Sequence, residues 1–224
     1  AAIWSFTRLV KPVYDGIVAT SGAAAAPAAH EDRDLSPGTI GLLSLICLVM
    51  VAWLFHAFIG DGELAPLIWP LTIGGVVFTV IVGGFIATIA GYMAGLIGAS
   101  NSPVSGIGIL SIVAAAGLLA LFALPLLGVE AQDALVAFAL FAVAIVFSIA
   151  TISNDNLQDL KTGYLVGASP WRQQIALIVG VIAGAVVIGP VLDLLNQAYG
   201  FPGDPNRAAI AAAPLPAPQA TLIS

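Results

Sequence analysis

This chain of 224 residues is 60% hydrophobic and 8% charged, with a mean hydropathy of +1.07, whereas soluble domains are typically about a quarter charged. Its net charge of −6 rests on few side chains, gathered at the joints between apolar runs, and no basic stripe offers itself to a nucleic acid. Cys47 is the single cysteine, which excludes an intrachain disulfide, and no Ser/His/Asp set, HExxH motif or paired intramembrane carboxylate points to an enzyme or a resident cofactor.

The chain opens without a Met on Ala1-Ala2-Ile3-Trp4, as if an element were already under way, and reads as an interior portion of a longer protein. Residues 1–38 are expected to be the end of that element plus an Ala/Pro-rich linker, Ala23 to Ala29 followed by His30-Glu31-Asp32-Arg33-Asp34. Residues 39–200 should form a membrane domain, and 201–224 a Pro/Ala-rich non-cytoplasmic tail or the start of a next element. The fold class is all-α: a polytopic transmembrane bundle with about five spans, roughly Thr39–Ile59, Leu71–Gly98, Gly106–Leu127, Ala134–Ile152 and Gln173–Leu195. If these alternate, Arg8, Lys11, Arg33, Lys161 and Arg172 fall on one face and Arg207 alone on the other. The linker and the Ser153–Arg172 segment are then cytoplasmic.

Ser36-Pro37, Ser102-Pro103 and Ser169-Pro170 each place a capping hydroxyl before a proline at a first helical position. They lie 66 and 67 residues apart, and Ile40 to Ile46 is similar to Ile107 to Val113, which allows a two-helix internal repeat. Gly91-xxx-Gly95 and Gly180-xxx-Gly184 are close-packing signals between membrane helices. His56, near the end of the first span, reads as an interface residue, and His30 is too isolated to bind metal.

From Leu64 to Val129 there is no Asp, Glu, Lys or Arg, yet Ser100-Asn101-Ser102-Pro103-Val104-Ser105-Gly106 interrupts the run. A break near 99–106 frees backbone groups that only protein or a water-filled cavity can satisfy, as in a solute pathway; a short loop between two spans is the plainer reading. A second polar stretch, Ser153 to Leu165, is expected to form a short amphipathic helix at 154–163, capped by Ser153 or Asn154 and ended by Gly163. Asp155, Gln158, Asp159 and Thr162 make one face, and Leu157, Leu160 and Tyr164 the other. The helix either lies on the headgroups or turns its carboxylates into a vestibule, where one of them can carry a coupling proton.

Gly91 through Gly106 resembles a signature stretch of the oligopeptide transporter (OPT) superfamily in its bacterial branch. Asn154 through Leu165 resembles another, whose Gln158-Asp159-x-Lys161-Thr162-Gly163-Tyr164 core is also similar to the yellow-stripe-like metal-chelate transporters. Ser169 to Gln174 and Pro216 to Ala220 continue the likeness, which covers most of the chain from about Thr39. The resemblance implies a multi-pass protein of the bacterial inner membrane, in contact with lipid and with other helices of a longer chain or partner subunits. It implies proton-driven symport of small peptides or metal chelates. In that frame Tyr92, Ser100, Asn101, Ser102 and Ser105 are the candidate substrate-binding residues. The helix start after Pro103 would face an anionic group, and Asn101 and Ser105 would supply hydrogen bonds. Asp155 and Asp159 are the candidate proton carriers, with Lys161 as a counter-charge. A non-transporting scaffold subunit of a larger complex is the competing class.

Overall fold

The computed structural model describes residues 34–60, 62–98 and 104–201. Helix α1 spans Pro37–Ile59, with Pro37 at its first turn and the Ser36 hydroxyl accepting from the Thr39 N–H at 3.2 Å. A tight turn at Ala65–Leu67 leads into α2 (Ile68–Phe78), which passes through a π-helical turn, Thr79–Gly83, into α3 (Gly84–Ile97). Then follow α4 (Val104–Phe122), a single turn α5 (Leu124–Leu127), α6 (Gln132–Leu165) and α7 (Pro170–Tyr199). The described residues are helical throughout, joined by short turns.

Among the described residues, four helices are long and apolar enough to cross a membrane: Pro37–Ile59, Ala65–Leu96, Val129–Leu165 and Pro170–Tyr199. The expected third span, Gly106–Leu127, corresponds to α4, Val104–Phe122, which stops short of Leu127. Pro125 explains the difference: it has no N–H for the Leu121 carbonyl, so the ladder breaks at Ala123 and resumes for one turn. The expected short helix at 154–163 is not a separate element. It is the last third of α6, which runs through Ser153 without a break. Nor does Gly163 end that helix; Gly167, at φ 73°, does. The Gly167 N–H donates to the Tyr164 carbonyl and the Ala168 N–H to the Gly163 carbonyl, a Schellman closure.

The core follows from small residues and rings. Phe55 of α1 is fully buried against Phe138 and Phe141 of α6, at centroid distances of 5.4 and 5.8 Å, and Phe58 stacks on Phe141 at 4.4 Å. Gly75 of α2 carries the other side of the Phe55 ring; a Cβ there would lie 3.0 Å from it. Along α3 and α6 the contacts climb together. Gly83 abuts Ile149, the Ser153 hydroxyl donates to the Ala87 carbonyl at 2.7 Å, and Gly91 abuts Ser153 and Leu157. The two helices are therefore parallel, with residue n beside n + 66. Helix α4 runs the other way, Gly108 against Phe147 and Ala115 to Ala123 nearer Ala142 and Phe138.

The chain divides into two units, residues 1–174 and 175–224. In the second, most of α7 is an exposed apolar helix with no buried residue, and Pro190 lies within it. Gly180 and Gly184 meet no atom within 4 Å, so the close packing expected of them is not made among the described residues.

Candidate functional site

The interruption expected near 99–106 falls between two helices of opposite direction. Helix α3 ends at Ile97, and Gly98 closes it at φ 85° and ψ 157°, with its N–H on the Ala94 carbonyl. Helix α4 begins at Val104. Ser100, Asn101, Ser102 and Pro103 lie outside the described residues, and Ser105 is placed by its backbone alone, in the first turn of α4. The flanking helices are not level. Gly91 of α3 meets Ser153 and Leu157, towards the end of α6, whereas Gly108, in the second turn of α4, meets Phe147. The start of α4 is thus set well in from the end of the α3–α6 pair.

Tyr92 lies on α3 beside Gly91, 41% exposed, in the layer where α3 meets Ser153 and Leu157. Asp155, Asp159 and Lys161 are all exposed on the last turns of α6. The structure thus brings Tyr92 and the Asp155–Asp159 turn to one end of the bundle, without a direct contact between them. Lys161 Nζ sits 5.6 Å from the centre of the Tyr164 ring. The buried positions of this stretch are Asn154 and Gly163, while Tyr164 is mostly exposed, so the buried side is not the apolar face read from the sequence. The Asn154 amide reaches the Asp155 carboxylate at 3.4 Å, and Gln173 donates to the Ala168 carbonyl at 3.3 Å over Gly163, where a Cβ would collide with the Gln173 side chain. His56 is exposed at the end of α1, with its ring 5.5 Å from that of Trp69. Among the described residues no three His, Cys, Asp or Glu side chains come together as a metal site.

Two features of the interior carry no mark in the residue pattern. One is a groove of about 440 Å³ between α2 and α4 over α6, lined by apolar side chains including Leu71, Phe78, Leu118 and Phe138. The other is the pair of threonines on α2 and the π turn. Thr72 and Thr79 are 6% and 4% exposed, and neither hydroxyl has a hydrogen-bond partner among the described residues.

Residues 21–224 match the family model of the OPT oligopeptide transporter proteins. A protein of Haemophilus influenzae named for oligopeptide transport is 42% identical over the whole chain, which spans 37% of that relative's length. No solved structure matches. With a match over most of its length and several apolar membrane-length helices, this multi-pass chain belongs to the OPT oligopeptide transporter family.

Proposed function

We propose that this protein forms a solute-conducting part of a proton-coupled importer of small oligopeptides in the bacterial inner membrane. Family membership supports a transporter rather than an enzyme. The observation that carries the reading further is the setback of α4: Gly108, in its second turn, meets Phe147 near the middle of α6, while Gly91 of α3 meets Leu157, and an uncharged segment rich in Ser and Asn joins the two helices. Polar residues next to a helix start at such depth suit a peptide carboxylate, held by the helix dipole and by Asn101 and Ser105, with Tyr92 as a wall. Asp155 or Asp159 takes the coupling proton and Lys161 tunes it. The 39–200 domain lies between a cytoplasmic linker and a non-cytoplasmic tail, following the distribution of Lys and Arg.

The test is flux of a labelled tripeptide in proteoliposomes of the intact transporter, with and without an imposed pH gradient. Asn101→Ala should weaken apparent affinity, about tenfold for each 1.4 kcal/mol of lost hydrogen bonding. Asp159→Asn should abolish accumulation against the gradient and spare downhill exchange. Accumulation by Asp159→Asn at the parent level removes the proton role from that carboxylate. Competition by a ferric chelate moves the substrate class to metal chelates, and absence of flux under every gradient favours a scaffold.

A further inference from the structure

The π turn, the two threonines and the groove belong to one device. A π turn holds one residue more than the α-helical turn it replaces, and such turns are rare inside helices. The stretch of α6 in register with Thr79–Gly83 is Ile145–Ile149, and it is regular α-helix. The threonines are also out of keeping with their neighbours. Thr88, Ser148, Thr151 and Thr162 each donate to the carbonyl four residues back, at 2.8 to 3.0 Å. Thr72 and Thr79, far more buried, donate to nothing among the described residues. Seven residues apart, they share one side of the helix.

We propose that the π turn stores one residue of helical register, and that its release turns Thr72 and Thr79 into the α2–α4 groove to line a polar path. When the turn tightens to α, each residue of α2 advances into the place of the one before it, by about 100° and about 1.5 Å. Thr72 then takes the place of Leu71, and Thr79 that of Phe78; both of those places face the groove. Gly75 takes the place of Gly74, which keeps that wall free of a Cβ, and the groove gives the helix room to turn. The same step brings Val76 to where Gly75 now meets Phe55, so the Phe55 ring opposes the shift and sets its cost. An apolar groove thereby acquires two hydroxyls two turns apart, the chemistry that a peptide amide or a file of water requires. The inference deepens the transport reading, but its test needs neither substrate nor gradient.

In the intact transporter carrying Cys47→Ser, Thr79→Cys is exposed to a charged, water-soluble methanethiosulfonate. Slow labelling is expected, at the rate set by a minor shifted state. Deleting Val80 takes the additional residue out of the turn while both flanks stay where they are. Labelling should then slow about tenfold or more, since a state populated at roughly 0.1–10% is removed. Phe55→Leu should act in the opposite sense and raise Thr79→Cys labelling severalfold. It should leave Ala90→Cys, buried beyond the π turn, unlabelled. Equal labelling with and without Val80, no labelling in either background, or a parallel rise at Ala90→Cys with Phe55→Leu overturns the proposal. Loss of tripeptide flux with these labelling patterns intact would count against the transport reading alone.

Discussion

Gly91 shows how one missing Cβ positions this bundle. In lipid, helices gain no hydrophobic drive from association, so close backbone approach and interhelical hydrogen bonds hold them together. A Cβ at Gly91 would stand 2.9 Å from Ser153 Oγ and 3.1 Å from Leu157 Cγ, and that same Ser153 hydroxyl is committed to the Ala87 carbonyl one turn away. The glycine and the hydroxyl are therefore one contact. Gly91→Ala should destabilise the protein by about 1–3 kcal/mol through overpacking. Ser153→Ala should cost about 0.6 kcal/mol, the mean for a hydrogen bond between membrane helices. The two should not add, because removing the hydroxyl removes the nearest atom the new methyl meets. Unfolding of the single and double variants in detergent checks this; additive losses would show that the alanine collides with Leu157 alone.

At the scale of elements, glycine decides where helices stop. Gly60, Gly98, Gly128, Gly167 and Gly200, the described residues with positive φ, each follow a helix. Gly98 has φ 85° and ψ 157°, a region essentially closed to other residues, so Gly98→Ala should cost about 1–3 kcal/mol. Gly95→Ala, three residues earlier with nothing within 4 Å, should be neutral or stabilising by up to about 1 kcal/mol. Equal unfolding free energies for the two variants would refute that division. The Ser36-Pro37 start and the Pro170 start were legible because capping chemistry is local, as was the interruption after Gly98. The continuation of α6 was not. The polar run from Ser153 reads as a new helix start, but Ser153 satisfies its hydroxyl across the interface at Ala87 and has no need to cap. The π turn was invisible for a different reason: Thr79-Val80-Ile81-Val82-Gly83 has the composition of any apolar helix, and only the packing on either side reveals the additional residue. Of the proposed site, Asp155, Asp159 and Lys161 are exposed at the end of α6, where the amphipathic pattern alone favoured a helix lying on the headgroups over one facing a vestibule.

For the whole molecule, the 66-residue spacing of the first two Ser-Pro pairs reappears as geometry. Helix α1 with the 65–97 helix, and α4 with α6, form two successive hairpins, and their second helices pack in parallel with residue n beside n + 66. Such an arrangement suits a repeat related by an axis along the membrane normal. A helix antiparallel to α3 and α6 is also placed to carry the chain back across, even though Pro125 interrupts the helix just beyond its end. The joints at Gly62 and Val129 should therefore share one side of the membrane, and the linker at Ala26 and the turn at Ala168 the other. By the positive-inside rule, the Lys and Arg of the linker and of the segment before α7 make that second side the expected cytoplasmic one. With Cys47→Ser as background, single cysteines at Gly62 and Val129 should react with an impermeant maleimide in intact cells. Cysteines at Ala26 and Ala168 should react only after permeabilisation. If Val129 joined the protected pair, α4 would not cross and the second hairpin would lie on one face. If Gly62 joined it, α1 itself would not be a span.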